Sequence, residues 1–153
     1  DQLVNPQRAV PKTSVQIHGI DPDLLPSQPV ITEVLPKFHA FVKDSVLVAH
    51  NAAFDMRFLQ LKEDAIGLHF DNPVLDTLLL SSVVHPNLEG HSLDAIAERF
   101  NITIVGRHTA LGDALVTAEV LLKLIPLLEA QGIMTLDDAL RASIRSPYVK
   151  ISY

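Results

Sequence analysis

The most constraining feature of this chain is a short apolar strand that turns directly into a helix. Residues 45–49, with the sequence Ser-Val-Leu-Val-Ala, have the length and apolar content of a buried strand, and from Ala52 to Leu59 the apolar spacing becomes helical. Asn51 suits the N-cap position, which puts Asp55 in the first turns of the helix, just beyond the carboxyl end of the strand. This arrangement predicts an α/β fold, in which binding sites gather at that end of the strands.

A histidine and an aspartate five residues apart stand at the head of a long apolar helix. A histidine can move a proton near neutral pH and an aspartate can hold a metal ion, so the pair His108 and Asp113 suggests metal-assisted hydrolysis. Positions five apart on one α-helix point about 140° away from each other, so both could not serve one site from within that helix. We therefore expect His108 in the preceding loop and Asp113 in or near the first turn, where the helix dipole favours a carboxylate.

The first half of the chain holds further elements of an α/β layer system. Residues 7–29 are rich in Pro, Gln and Ser and predict loop with short helical pieces. An apolar stripe predicts a helix through residues 30–43, with Pro36 just past its first turn. Residues 74–76 predict a short strand, which leads into a helix through Val84.

Apolar spacing predicts two later helices. Ser92 is expected to cap a helix whose core face holds the apolar residues Leu93, Ile96, Ala97 and Phe100. The helix after Thr109 shows three-and-four spacing of apolar residues, which predicts one buried face. That face would consist of Leu111, Ala114, Leu115, Ala118, Leu121, Leu122 and Ile125.

The character of the chain changes beyond Gly132. Thr135 begins a Thr-x-x-Asp pattern typical of a helix start, and Pro147 should end that helix and leave an extended tail. We therefore expect a boundary after residue 132, with residues 133–153 as a C-terminal helix with an extended tail or linker.

Composition limits the classes of protein that this chain can belong to. There are 0 cysteines, so disulfides, thiolate nucleophiles and zinc-thiolate sites are excluded within it. No apolar run reaches the roughly 18 residues that a membrane span needs, and no signal-peptide pattern opens the chain, so we expect a cytoplasmic protein without a membrane partner. A formal net charge of −6 argues against a broadly basic nucleic-acid-binding face, but not against an enzyme that grips a strand end through metal ions.

Five stretches carry a resemblance to a known enzyme family. They are Ile-His-Gly-Ile at 17–20, Leu-Val-Ala-His-Asn-Ala-Ala-Phe-Asp at 47–55, Asp-Thr-Leu at 76–78, Ser-Leu-Asp-Ala-Ile-Ala-Glu-Arg-Phe at 92–100 and Arg-His-Thr-Ala-Leu-Gly-Asp-Ala at 107–114. In this order they resemble the DnaQ-like exonucleases of the DEDDh group, to which the epsilon subunit of bacterial DNA polymerase III belongs. The resemblance covers nearly the whole chain and implies a ribonuclease H-like three-layer fold with a mixed central sheet.

The resemblance also implies a reaction and three catalytic residues. Asp55 and Asp113 match the metal-binding aspartates of the second and third family motifs, and His108 matches the histidine that acts as general base toward the attacking water. The implied cofactors are two divalent cations, Mg²⁺ or Mn²⁺. The implied reaction is removal of nucleotides from the 3′ end of DNA or short RNA, including proofreading. Paired metals and a base with a pKa near neutrality suit such a displacement.

Other implied contacts concern substrate and partners. His18, Asn51 and Phe54 match positions that line the terminal-nucleotide pocket of the family. The implied partners are the 3′ end of a single-stranded nucleic acid and a DNA polymerase subunit. Asp76 and His50 are expected to have supporting structural roles, His50 through a hydrogen bond.

The first motif of the family, an Asp-x-Glu on the opening strand, is missing from these residues. Asp21 and Asp23 come too late in family order, and residues 3–6 look like the end of the third family strand. We therefore expect residues 1–132 to form an N-terminally incomplete exonuclease-like domain. It would lack its first strands and expose an apolar patch, which could bind another chain. The intact protein would be the enzyme, whereas residues 1–153 alone would bind metal weakly and show little or no cleavage.

Two alternatives remain open at the level of sequence. The chain could be a catalytically incomplete exonuclease-fold module that binds a polymerase or another partner. It could also be a two-metal phosphodiesterase that acts on small nucleotides. No sequence feature favours DNA over RNA, because a metal site grips phosphate and does not detect the 2′ position.

Overall fold

The computed structural model describes residues 1–106 and 108–151, and their side chains through Val149. In this part of the chain, helices are far more abundant than strands. The α-helices are α1 (Lys12–His18), α2 (Ile31–Val42), α3 (Ala52–Ile66), α4 (Thr77–Val84), α5 (Leu93–Arg99), α6 (Ala110–Glu129) and α7 (Leu136–Ile144). The strands are β1 (Leu47–Ala49) and β2 (Val74–Asp76), and 3-10 helices span Pro22–Ser27 and Pro147–Ile151. Among the described helices, none is long and apolar enough to cross a membrane.

The two strands pair in parallel, and each leads directly into a helix. Leu47 lies opposite Val74, and Ala49 lies opposite Asp76. β1 is followed after two residues by α3, and β2 is followed at once by α4. The carboxyl ends of both strands therefore meet the first turns of α3 and α4 at one edge of the sheet.

Helices cover both faces of this sheet. Leu47 packs with Phe70 and with residues of α2 and α3, whereas Leu75 packs against a larger core formed by α4 to α7. Leu47 is in register with Val74, and side chains alternate between faces along a strand, so Leu47 and Leu75 point to opposite faces. The order of layers is therefore helix, sheet, helix, which confirms the predicted α/β class and its ribonuclease H-like layering.

The larger core is built around the long helix α6. Val120 and Leu124 of α6 have no exposed surface, and neither have Leu80 of α4 and Ile96 of α5. Ser92 accepts a hydrogen bond from the Ala95 amide at 3.3 Å, as its predicted capping role requires. The predicted core face of α5 is confirmed, because its apolar residues all belong to this core or pack against it.

The predicted buried face of α6 is wrong. Four of its large apolar side chains are exposed: Leu111 at 53%, Leu115 at 58%, Leu122 at 66% and Ile125 at 40%. The buried face consists instead of Gly112, Val116, Thr117, Val120, Leu124 and Leu128. The physical reason is that α6 is apolar on two faces, and α4 and α5 pack against only one of them. Phe41, expected on the apolar stripe of α2, is likewise 81% exposed.

The C-terminal segment differs in part from its prediction. Thr135 caps α7 through a reciprocal capping box with Asp138, which confirms the predicted helix start. The expected extended tail is wrong for Pro147–Ile151, which forms a 3-10 helix, while residues 152 and 153 lie outside the described part. The hydroxyls of Ser146 and Ser82 lie 2.6 Å apart and join this segment to α4. At the other end, Asn5 of the expected strand end forms an isolated parallel bridge with Val30.

Candidate active site

A cleft of about 1050 Å³ runs along β1, all three residues of which line it. Residues of α2 and α3 form one side, residues of α6 form the other, and β1 forms the floor. Asp55 of α3 and Asp113 of α6 both line this cleft. Two aspartates that are far apart in the sequence therefore face one space, as residues of a shared site must.

Asp55 lies in the first turn of α3 and faces the cleft. Loss of solvation in the cleft raises the pKa of its carboxyl, a hydrogen bond from its own backbone lowers it, and the negative charge of Asp76 raises it further. The net result is a carboxyl whose charged form is disfavoured when no cation is near. A divalent cation would reverse that balance, because an adjacent positive charge favours the ionised form.

The turn between β1 and α3 is held by the carboxylate of Asp76. Its Oδ1 accepts hydrogen bonds from the amides of Asn51 at 3.0 Å and Leu78 at 2.9 Å, and its Oδ2 accepts one from the amide of Ala52 at 2.9 Å. Asn51 occupies the predicted N-cap position, but its side chain makes no capping bond and its backbone is left-handed, with φ 60° and ψ 52°. The expected Asn51 cap is therefore replaced by a carboxylate from another strand.

Thr77 supports the same turn from inside the fold. Its hydroxyl donates to the Ala49 carbonyl at 3.3 Å and lies 2.9 Å from Nδ1 of His50. His50 also lines the cleft. Its predicted structural hydrogen bond is confirmed.

The turn before α6 places His108 next to Asp113. Thr109 caps the helix, because its hydroxyl oxygen accepts from the Gly112 amide at 3.1 Å and its hydroxyl donates to the Gly106 carbonyl at 2.6 Å. His108 has a φ of 66°, and its amide donates to Oδ1 of Asp113 at 3.2 Å. The predicted placement is confirmed, with the histidine in the preceding turn and the aspartate in the first turn of the helix. Residue 107, the first of this motif, lies outside the described part.

The structure brings some of the predicted site residues together and leaves others apart. Asp55, Asp113 and Asn51 line the cleft. His108 is not among the residues that line it, although its amide donates a hydrogen bond to Asp113. His18 lies at the end of α1, where its Nδ1 accepts from the Ile20 amide at 3.0 Å, and it is not among the residues that line the cleft. Phe54 is also outside the cleft lining and stacks edge-on against Phe58, with ring centroids 4.9 Å apart.

Two carboxylates form only part of a metal-binding site. Oxygen ligands of this kind suit Mg²⁺ and Mn²⁺, and such ions bind through one or two carboxylates together with water and phosphate. Within residues 1–106 and 108–151, no group of three or more histidine, cysteine, aspartate or glutamate side chains is arranged to hold a metal ion. The residues present therefore fit a divalent cation in kind, and they would supply two of its ligands.

The arrangement of Asp76 around the turn was not foreseen from the sequence. The Asp-Thr pair at the end of β2 gave a local signal, and a supporting role was expected for Asp76. Its contact with Asn51 and Ala52 is 24 to 25 positions away in sequence, and no periodicity reveals a pairing over that distance.

A solved structure shares this fold. Exonuclease X in complex with 5′ overhanging duplex DNA matches 92% of the chain with a TM-score of 0.72, at 23% sequence identity and over 78% of that protein. The match shows that the two proteins share a fold.

Two DNA polymerase III proteins are more similar to this chain in sequence than exonuclease X is. A DNA polymerase III subunit epsilon-like protein of Rhodobacter capsulatus is 54% identical over 137 residues, which are 88% of this chain. A PolC-type DNA polymerase III of Caldanaerobacter subterraneus subsp. tengcongensis is 40% identical over 138 residues, which are 90% of this chain. The chain spans only 20% of the first relative and 10% of the second. The model of the RNase_T exonuclease family matches residues 1–121, and the chain belongs to this exonuclease family.

Proposed function

We propose that the protein is a metal-dependent 3′–5′ exonuclease that removes nucleotides from the 3′ end of DNA or short RNA. The observation that carries this proposal is the convergence of Asp55 and Asp113 on one cleft, in a chain of the exonuclease family. The names of the relatives, DNA polymerase III epsilon-like and PolC-type, favour a proofreading role beside a polymerase.

Asp55 and Asp113 would hold the divalent cations. When bound, such cations stabilise the attacking and leaving oxygens of an in-line phosphoryl displacement. Their other oxygen ligands would be water, substrate phosphate and further carboxylates. Asp55 belongs to α3 and Asp113 to α6, which lie in different layers of the fold. Each aspartate is therefore part of a helix, which is a rigid element. That rigidity keeps the ligand positions fixed without a substrate.

His108 would accept the proton from the attacking water. The hydrogen bond from its amide to Asp113 fixes its backbone position, so the base and one ligand would be held as a unit. An imidazole suits this step because it is a side chain that can accept and release a proton near neutral pH. Thr109 contributes indirectly, since its capping bonds hold the turn in which His108 lies.

The experiment that tests the proposal uses the full-length protein and single-stranded DNA labelled at either end. With 5′-labelled DNA and Mg²⁺, we expect products that shorten by one nucleotide at a time, whereas 3′-labelled DNA should release labelled mononucleotide at once. EDTA should abolish both results. Endonucleolytic fragments, or release of a 5′-terminal label as mononucleotide, would contradict the proposed direction.

Variants separate the proposed roles of the residues. Asp113→Ala should abolish cleavage with little loss of fold, because it removes a metal ligand. His108→Ala should leave metal binding largely intact and slow the chemical step by about 10² to 10⁴. Asp137→Ala is the matched control, since Asp137 is also a first-turn aspartate but belongs to α7. Near-normal turnover in His108→Ala would exclude the general-base role.

A second candidate function is favoured by the exposed apolar face of α6. Leu111, Leu115 and Leu122 are each more than half exposed, and a binding partner would cover them. In this alternative the domain binds a polymerase or another partner without cleaving nucleic acid. Absence of cleavage by the full-length protein, together with its co-purification with a polymerase, would support the alternative.

Comparing rates on single-stranded DNA, short RNA and dinucleotides would separate an exonuclease from a phosphodiesterase of small nucleotides.

A further inference from the structure

A single buried carboxylate caps two helices beside the proposed site. Asp76 is 7% exposed and lies at the carboxyl end of β2. It is the N-cap of α4, where it accepts from the Leu78 amide, and it also accepts from the amide of Ala52, the first residue of α3. The positive ends of two helix dipoles therefore stabilise its charge inside the fold.

The third hydrogen bond of Asp76 holds Asn51 in a left-handed backbone conformation. Asn51 has φ 60° and ψ 52°, a left-handed conformation that few residues other than glycine adopt without cost. Asp76 accepts from the Asn51 amide at 3.0 Å and thereby holds this conformation in place. The chain changes direction at Asn51, so the conformation of this residue sets the direction in which α3 leaves the strand.

Asp55 follows on the same helix, within the first turn after the clamped residues. A shift in the start of α3 would move the Asp55 carboxyl relative to Asp113, which belongs to a different layer. The spacing between the two carboxylates therefore depends on the contact between Asp76 and the 51–52 turn.

We propose that Asp76 is a positioning residue for divalent-cation binding, because its carboxylate clamps the Asn51–Ala52 turn and so places Asp55 opposite Asp113. This inference rests on the proposed function, since it takes Asp55 and Asp113 as the ligands. In this role Asp76 would touch neither cation nor substrate, because its two oxygens are occupied by backbone amides.

The chemistry of the clamp requires a carboxylate. Three amide N–H groups converge on Asp76, and an ionised carboxylate has only acceptors to offer them. In Asp76→Asn one acceptor oxygen becomes an NH₂ group, which faces an amide hydrogen and repels it. The substitution is isosteric, so it disturbs the clamp with little change in packing.

The test measures Mn²⁺ binding by electron paramagnetic resonance, with Mn²⁺ alone as the probe and the full-length protein as the sample. We expect Asp76→Asn to raise the Kd for Mn²⁺ by about 10-fold or more, in line with residues that support metal ligands. Asp55→Ala gives the reference value for loss of a ligand. Ser82→Ala is the matched control, since it removes a buried hydrogen bond from the same helix without touching the turn.

A second measurement distinguishes positioning from general stability. Amide hydrogen exchange at Asn51 and Ala52 should accelerate by about 10-fold or more in Asp76→Asn and stay unchanged in Ser82→Ala, even where both variants lose similar stability. Should Asp76→Asn fail to fold, Asp76→Glu keeps the charge and displaces its oxygens by one methylene group. The same rise in the Kd for Mn²⁺ is expected for Asp76→Glu.

The outcomes separate this inference from the proposed function. An unchanged Kd for Mn²⁺ in folded Asp76→Asn or Asp76→Glu would overturn the positioning role, whether or not the wild type cleaves nucleic acid. A raised Kd together with faster exchange at the turn supports it. Tight Mn²⁺ binding by a wild type that cleaves nothing would refute the proposed exonuclease and leave the positioning role supported by the same shift in Kd.

Discussion

Replacement of Gly112 by alanine should destabilise the protein although it improves helix propensity. Gly112 is the third residue of α6, and the loop before the helix packs directly on it. A Cβ atom at this position would overlap the Gly106 carbonyl oxygen and lie 2.6 Å from the Gly106 carbonyl carbon and 2.7 Å from the Val105 oxygen. All three are backbone atoms, which cannot swing aside as the end of a flexible side chain could.

Two opposing effects determine how much Gly112→Ala changes the free energy of unfolding. Helix propensity alone favours alanine over glycine by about 0.5–1 kcal/mol. Overpacking against a fixed neighbour costs about 1–3 kcal/mol. We therefore expect Gly112→Ala to lower the free energy of unfolding by about 1–2 kcal/mol, with the loop displaced. Because His108 lies in that loop, turnover should fall by about 10-fold or more, as small misplacements of catalytic groups usually cause.

Urea unfolding at pH 7.5 measures the free energy of unfolding. Single-turnover cleavage by the full-length protein measures the expected loss of turnover. Ala118→Gly is the matched control, because Ala118 is an exposed residue of the same helix. That control should cost about 1 kcal/mol through helix propensity alone and leave turnover unchanged. A stabilised Gly112→Ala variant would contradict this prediction, since it would mean that the backbone of the loop does not pack directly against Gly112.

Two further predictions concern stability. Burial and the nearby charge of Arg99 hold the pKa of His91 below its ordinary 6.5, so neutral His91 adds stability above pH 6.5 that is lost as the pH falls below it. The free energy of unfolding should therefore fall between pH 7.5 and 5.5 by more in the wild type than in His91→Gln, and equal falls would contradict this. Leu124→Ala should cost about 2–5 kcal/mol in urea unfolding because Leu124 is fully buried, whereas exposed Leu122→Ala should stay within about 0.5 kcal/mol. Similar losses for the two leucine variants would show that the faces of α6 are misassigned.

Local chemistry made much of the fold predictable from sequence. The caps Ser92, Thr109 and Thr135 each satisfy amides within their own first turn, so the residues that define the helix start are neighbours in the chain. The passage from β1 into α3 was equally clear, because the apolar period changes there from strand to helix. The same local signals placed His108 ahead of α6 and Asp113 inside it.

Long-range packing accounts for what the sequence did not reveal. Both faces of α6 are apolar, so periodicity could not tell which of them meets α4 and α5. The left-handed Asn51 depends on Asp76, a contact between different strands that no local pattern encodes. The cleft itself is likewise a product of assembly, since its two aspartates come from helices in different layers.

The central claim is that Asp55 and Asp113 share one divalent-cation site, and paramagnetic broadening by Mn²⁺ tests it most directly. In the isotope-labelled chain, the signals of residues around both aspartates should broaden together at the lowest Mn²⁺ concentrations, and Mg²⁺ should reverse the effect. Asp113→Ala should weaken the broadening around Asp55 as well as around position 113. Broadening confined to one aspartate, or broadening around Asp55 that Asp113→Ala leaves unchanged, would contradict a shared site.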